Sequence, residues 1–433
     1  MYLVEKHESE RKKGVLQNHT LFYVAIAFLI VLGVVIPVFS VLAFVIYALY
    51  ILFSKPQNVY LSLFFLISFA NIFKMSVSST SFFTYVILLA FLKLLFSIEK
   101  FNIKFLTAWL LFLVYITLGS NFDLKNLIKQ ALLLPIFAFF FLIEKPDIKR
   151  VVLNYTNGLV LSSFVAQFER FIPNMSNYLN KEKTFDLEEN VERFVGLYSD
   201  PNYYTLAIIL AISLILVLYV NNVVGKGVYV YYLIFVFFGA QTVSKSFILL
   251  IAFISICFVV LLLKNKKYFE SLIYLLLLTV AAVFVFSGRI SIFDNVIERL
   301  IASEDSGDVT TNRTTLWSGY IEYLSLNFDK FIFGSGIGAP HLMKAAAHST
   351  YIDLIYYYGL FGSILFFVVL FLSFCKKDKV KKNSAAFFPL ICLLINIAFV
   401  SCLVSYDLAF NLILVFMVLT SDFSESIKNN ESV

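Results

Sequence analysis

Arginine and histidine carry most of the chemistry available in this chain, and both are unevenly placed. There are seven arginines, and five of them (Arg170, Arg193, Arg289, Arg299, Arg313) lie in two polar stretches, residues 169–202 and 288–348. Basic residues elsewhere are mostly lysine. Lysine acts as a point charge, whereas the planar guanidinium fork of arginine matches phosphate oxygens. The clustered arginines therefore read as anion ligands. Pairing with Glu192, Asp294 or Glu298 is the plainer alternative. His348 closes the second stretch, where an apolar run begins. An imidazole there can accept a proton near neutral pH. The alternative is an interfacial histidine that only hydrogen-bonds.

Local patterns sharpen these candidates. Arg193 leads into Gly196 and then Asp200-Pro201-Asn202. Proline suits the first position of a helix, with Asp200 or Ser199 as its cap. The exposed N–H groups of such a helix start suit an anion, although a plain capped helix explains the same residues. Downstream, Thr310-Thr311-Asn312-Arg313 precedes an amphipathic pattern of Leu316, Trp317, Tyr320, Ile321 and Leu324. That pattern predicts a helix on or beside a membrane. Arg313 in its first turn opposes the helix dipole, a cost that a bound anion would offset. Gly334-Ser335-Gly336-Ile337-Gly338 has no βα unit around it and is not a dinucleotide fingerprint. It reads as a flexible turn whose N–H groups can form an anion nest.

His341 and His348 lack carboxylate or cysteine partners at ligand spacing, so neither a metal nor a cofactor is expected. The acidic clusters Asp186/Glu188 and Glu304/Asp305/Asp308 read as solvated. Neither a Ser-His-Asp arrangement nor a phosphate-binding loop motif is present. Three charges sit close to apolar runs: Lys245 at a tight turn, Lys93 placed to snorkel, and Asp353 one turn beyond His348. Charges so placed are costly and often functional.

The elements that must position these residues are membrane spans. Of 433 residues, 60% are hydrophobic and 14% charged, against roughly 25% charged in soluble domains. Apolar runs long enough for ~20-residue spans recur, and they do not alternate as barrel strands do. The sequence predicts an all-α polytopic membrane protein of about fourteen transmembrane helices with two long extracytoplasmic loops. Residues 21–53 read as two spans broken near Pro37 to Ser40. Further spans are expected at 59–75, 81–98, 105–120, 126–143, 151–168, 203–220, 228–243, 246–263, 268–287, 349–374, 385–402 and 404–420. The division is a cytoplasmic tail (1–20), N-terminal spans (21–168), an outer loop (169–202), spans (203–287), a large outer loop (288–348), C-terminal spans (349–420) and a cytoplasmic tail (421–433). No cleavable signal peptide is evident.

With the N-terminus inside, every short lysine-rich loop falls on the cytoplasmic side, including Lys226, Lys264 to Lys267, and Lys376 to Lys382. The net charge of +6 thus sets orientation and does not signal nucleic acid. Cys257, Cys375, Cys392 and Cys402 lie in or at the ends of spans and read as packing residues.

Taken in order, the motifs resemble the O-antigen ligase and Wzy polymerase superfamily of bacterial surface polysaccharide enzymes. The features are Arg193 with Gly196 and Asp200-Pro201-Asn202 opening a span; Ser244-Lys245 at a span start, where the family commonly has Ser-Arg; Asn312-Arg313 with Trp317; Gly334 with Gly336; and His348-Ser349 with Tyr351, then Gly359 and Gly362. Order and spacing agree over roughly residues 190–365. The resemblance implies a GT-C-like, metal-independent glycosyltransferase at the outer face of the bacterial inner membrane. Its substrates would be undecaprenyl-pyrophosphate-linked oligosaccharides, polymerised into O-antigen or capsular polysaccharide. His348, Arg313 and Arg193 would be catalytic. Arg289, Arg299, Lys245, Asn202, Gly334, Gly336 and Tyr351 would bind substrate. A chain-length regulator and a flippase are candidate partners beside the bilayer. Lys245 departs from the pattern: it keeps charge and loses bidentate geometry. Two other readings are an O-antigen ligase moving finished chains to lipid A-core and a lipid-linked oligosaccharide flippase. Against the flippase stand the lack of a repeat between halves and the placement of charge in loops.

Overall fold

A computed structural model describes residues 2–96, 103–119, 147–179, 185–186, 191–286, 313–342, 346–374, 385, 387–403, 406–421 and 423. Their regular elements are helices, apart from a two-residue antiparallel pair, β1 (Phe185–Asp186) with β2 (Val191–Glu192), inside the first polar stretch. The expected span at 126–143, Arg289, Arg299 and Cys375 lie outside the described residues. Of the other cysteines, Cys257, Cys392 and Cys402 are free thiols.

The chain divides into two units. The first comprises Met1–Ser97, Leu153–Lys181 and Gly196–Ser199. Its α1 (Tyr2–Val35) starts in the stretch expected as a tail, because residues 2–20 contain no proline and are rich in good helix formers. The break before α2 (Pro37–Phe53) falls at Ile36, which is extended at φ −129° and ψ 102°. Pro37 has no N–H to continue α1 and suits a new helix start. With α3 (Pro56–Leu66), α4 (Phe82–Phe96) and most of α6 (Ile148–Gln167), these helices form the unit. Lys93 on α4 caps α2: its Nζ donates to the carbonyls of Ile51 (2.6 Å), Leu52 (2.8 Å) and Ser54. An ammonium at a helix C-terminus satisfies orphan carbonyls and the dipole together.

The second unit comprises Ile98–Val152, Glu182–Val195 and Asp200–Val433. Its axis is α7 (Pro201–Val220), apolar all round and buried along almost its whole length. Around it pack α8 (Val228–Ala240), α9 (Lys245–Lys264), α14 (Phe387–Ile397) and α15 (Tyr406–Thr420). α10 (Tyr268–Phe286) packs on α9. Among the described residues, three helices, Pro201–Val220, Lys245–Lys264 and Thr350–Leu372, are long and apolar enough to cross a membrane, and eight further apolar helices run 10–17 residues. Large apolar side chains such as Phe96, Leu118 and Phe53 are exposed. This is a helical architecture compatible with a membrane protein.

The polar stretch before His348 contains α11 (Arg313–Leu326) and α12 (Phe328–Phe333). Tyr320 and Leu324 of α11 bury against Ala347 and Tyr356, as the apolar spacing predicts, whereas Ile321 is exposed.

α13 (Thr350–Phe374) was expected as one continuous span, and it is broken at Gly359 (φ 66°, ψ 179°). That conformation is essentially confined to glycine. A break orphans the carbonyls of the preceding turn, and the glycine run supplies partners. The Ser335 N–H donates to Tyr356 O (2.7 Å) and the Gly336 N–H to Tyr357 O (3.1 Å). The hydroxyl of Tyr115 on α5 (Ile103–Gly119) lies 2.7 Å from both Tyr358 O and Phe333 O, so its single proton serves one at a time. Close packing demands glycine here. A Cβ on Gly334 would lie 2.4 Å from Tyr357 O, and one on Gly336 would lie 1.7 Å from Gly119 O.

Candidate active site

Most of the residues singled out for chemistry belong to the second unit and gather near the N-terminal end of α7. Asp200 caps that helix, accepting the Asn202 N–H at 2.6 Å, with Pro201 at the first helical position. The side chain of Asn202 meets the turn between α8 and α9, where Ser244 Oγ donates to its Oδ1 (3.2 Å). Ser244 Oγ also lies 2.8 Å from Ser246 Oγ. That turn is tight because Val243 is left-handed (φ 48°), a conformation that a β-branched side chain disfavours. Lys245, half-buried, is the first residue of α9.

Arg193 reaches the same turn. Its Nε donates to Thr242 O (3.0 Å), and the adjacent Phe194 N–H donates to Gln241 O (3.0 Å). These carbonyls lie at the C-terminal end of α8. The guanidinium therefore caps a helix end where a cation is favoured. This contact gives Arg193 a structural role in addition to any anion it binds.

Arg313 differs. It is the first residue of α11, where the dipole disfavours a cation, and its guanidinium carbon lies 5.9 Å from the centre of the Phe399 ring. Trp317, one turn on, also faces Phe399, and its indole N–H donates to Ala347 O (2.8 Å). That bond fixes the residue preceding His348. His348 is itself left-handed (φ 51°) and only partly exposed. A non-glycine residue held in that conformation at a site is a pointer to function.

Four surroundings act on the imidazole. Partial burial lowers its pKa below the usual histidine value, and the charge of Arg313 lowers it further. Asp200 pulls the other way, and His341 adds to the lowering. The net effect favours neutral imidazole at pH 7, the form that accepts a proton. The action of Asp200 on His348 connects the two clusters. One is Arg193, Asn202 and Lys245; the other is Arg313 and His348.

The loop between α14 and α15 holds these parts in register. Tyr203 donates to Ser401 O, and Thr350 Oγ1 donates to Val400 O and accepts the Cys402 N–H (3.1 Å). Residues 385–402 were expected as one span. α14 ends at Ile397, and Phe399, Val400, Ser401 and Cys402 turn back across the starts of α7 and α13. Phe399 and Asp200 are the residues that sequence reasoning under-read. In the sequence Phe399 reads as one more apolar span residue, and Asp200 as a helix cap at the head of the Asp200-Pro201-Asn202 motif. Asp353, flagged from its position, is 4% exposed in the first turn of α13.

Three expected substrate-binding residues have structural partners of their own. Gly334 and Gly336 do not form an anion nest: the N–H groups of Gly334, Ser335 and Gly336 donate to the carbonyls of Lys330, Tyr356 and Tyr357. The glycines serve the break in α13. Tyr351 donates its hydroxyl to Leu394 O of α14 (2.9 Å), an interhelix bond. His341 Nδ1 lies 3.0 Å from the Tyr357 hydroxyl. Among the described residues no three His, Cys, Asp or Glu side chains converge as a metal site.

Comparison with known proteins finds no match: no family model fits the chain, and no curated protein or solved structure is similar to it.

Proposed function

We propose that this protein polymerises undecaprenyl-pyrophosphate-linked oligosaccharide repeat units at the outer face of the bacterial inner membrane, as a metal-independent, GT-C-like glycosyltransferase with about fourteen spans. The observation that carries the reading is a left-handed His348 on which the charges of both Arg313 and Asp200 act, with its pKa lowered overall. The ordered motifs across residues 190–365 supply the substrate class.

In this mechanism a sugar hydroxyl of one lipid-linked unit attacks the anomeric carbon of the donor chain. The new C–O bond forms as the bond from anomeric carbon to pyrophosphate oxygen breaks. The hydroxyl proton passes to His348, and the electron pair leaves with undecaprenyl pyrophosphate. Arg313 stabilises the charge that develops on the leaving pyrophosphate, the term that usually dominates such catalysis. Arg193 keeps the turn at Thr242 in place and adds its positive charge near the same anion. An α-linked donor gives inversion in a single displacement.

The test is a host that makes the protein normally but carries His348→Ala or Arg313→Ala. Accumulation of single lipid-linked repeats is expected. Full-length polymer in both variants overturns the assigned roles. In a knockout, polymer that stays lipid-linked and unattached indicates a ligase instead. Transfer of labelled lipid-linked sugar across a reconstituted bilayer without chain growth indicates a flippase.

A further inference from the structure

At the opposite end of α7 the second unit has a concavity of about 380 Å³, lined by Lys149, Tyr219, Asn222, Lys226, Lys267 and Glu270, with Val223 and Val224 on one side. It is built by two helix ends of the same design. Asn222 after α7 and Lys266 after α9 are both left-handed, at φ 57° and 58°. The Val223 N–H closes on Leu218 O and the Lys267 N–H on Leu262 O, each at 2.9 Å, the bonding of a Schellman cap.

Lys267 then reaches back to the end of α7. Its Nζ donates to Asn222 Oδ1 (2.8 Å) and Tyr219 O (3.3 Å) and lies 4.4 Å from the centre of the Tyr219 ring. Tyr219 donates its hydroxyl to Glu270 Oε2 (2.6 Å). Three lysines against one carboxylate leave a net side-chain charge of +2. Lys267 is accounted for by the carbonyl ends on which it sits. Lys149 and Lys226 are not: among the described residues neither forms an ion pair, whereas the neighbouring Arg150 is taken by Asp147 (2.9 Å). The lysines outnumber the one carboxylate, and the excess positive charge suits an anionic phosphodiester.

We propose that this concavity binds a phosphate group, that of an anionic phospholipid headgroup at the cytoplasmic face. The volume lies within the range of small-molecule pockets and exceeds what one phosphate fills. It also lies where apolar helices end, with Val223 and Val224 beside the lysines. Basic pockets between spans on the cytoplasmic side suit anionic headgroups. The inference rests on the membrane reading and on the lysine-rich end facing inward. It does not depend on glycosyl transfer.

The experiment uses the full chain in phosphatidylcholine nanodiscs with or without phosphatidylglycerol. Retained lipid is counted by native mass spectrometry after release, and inorganic phosphate is titrated separately. The wild type is expected to retain phosphatidylglycerol. Lys149→Ala/Lys226→Ala is expected to lose about tenfold or more of that affinity. Lys226→Glu, a single exposed change, is expected to lose it as well, which guards against a folding artefact in the double variant. Saturable binding of inorganic phosphate that falls in both variants, with no lipid preference, keeps the phosphate site and assigns it to a soluble phosphate compound. Phosphatidylglycerol and phosphate binding unchanged in both variants overturns the proposal. Polymer formation is not read, so failure here leaves the reaction untouched, and failure of the reaction leaves the pocket standing.

Discussion

At one end of α7 stand arginine, histidine and aspartate; at the other stand lysines around two helix caps. The ~30 Å of helix between them follows from twenty residues at 1.5 Å each. The helix field differs in sign at the two ends, and this decides which cations need explaining. Lys267 lies where carbonyls end α7 and α9, so the helix itself stabilises it by a few tenths to about 1 kcal/mol. Arg193 has similar support from the end of α8. Arg313 has none from its own helix, because it opens α11. The same test applied to both ends sets Arg313 apart from Arg193 and Lys267, and it leaves Lys149 and Lys226 as the lysines that no helix end accounts for.

The largest effect expected is at Arg313. Arg313→Ala should cut the rate of polymer formation in membranes by about a hundred- to a thousandfold with little change in Tm. Arg193→Ala should lower Tm as well, because it uncaps α8. Equal losses of Tm in both variants would erase the distinction drawn between the two arginines. Residue identity gives a sharper contrast. Arg313→Lys keeps the charge yet should lose about tenfold or more of activity, whereas Lys226→Arg should leave phosphatidylglycerol retention within about twofold. Lys245→Arg should raise kcat/KM a few-fold, about 1 kcal/mol at most, if the bidentate fork improves phosphate contact there.

The smallest predicted effect is a shift in pH dependence. Asp200→Asn preserves the cap on α7, since asparagine caps as well as aspartate. It removes the charge that raises the pKa of His348. The imidazole then stays neutral to lower pH, and the acid limb of the rate profile should move down. Arg313→Gln removes a charge that lowers the pKa, so His348 should titrate at higher pH, read from the pH dependence of its carbethoxylation. Shifts of the same sign in both variants would contradict the arrangement of charges around His348.

Helix starts were the most legible part of the chain, because proline and its caps act locally. Pro37, Asp200 with Pro201, and Lys245 mark real boundaries. His348 and Arg313 stand out in the sequence by position and type, and the charge of Arg313 acts on His348 in the structure. The break in α13 was not, because a glycine inside an apolar run is usually tolerated in a helix. Gly359 breaks it only because Ser335, Gly336 and Tyr115, all distant in sequence, supply partners to the freed carbonyls. For the same reason the glycine run read as a ligand loop. Its N–H groups look available until the partner helix is known. Phe399 was hidden for a related cause: a residue just past a helix end has the same composition as the helix.

The stitching of residues 334–336 into α13 also limits how the protein can move. Withdrawing that segment would leave consecutive carbonyls unpartnered in an apolar setting, at several kcal/mol each. The segment therefore behaves as part of the frame rather than as a flap. If a growing product must be released between additions, the opening has to come from elsewhere. Crosslinking Gly119 to Gly336 through paired cysteines is not sterically open, since even one Cβ on Gly336 meets Gly119 O at 1.7 Å. The backbone itself already does the work of a clamp at that crossing.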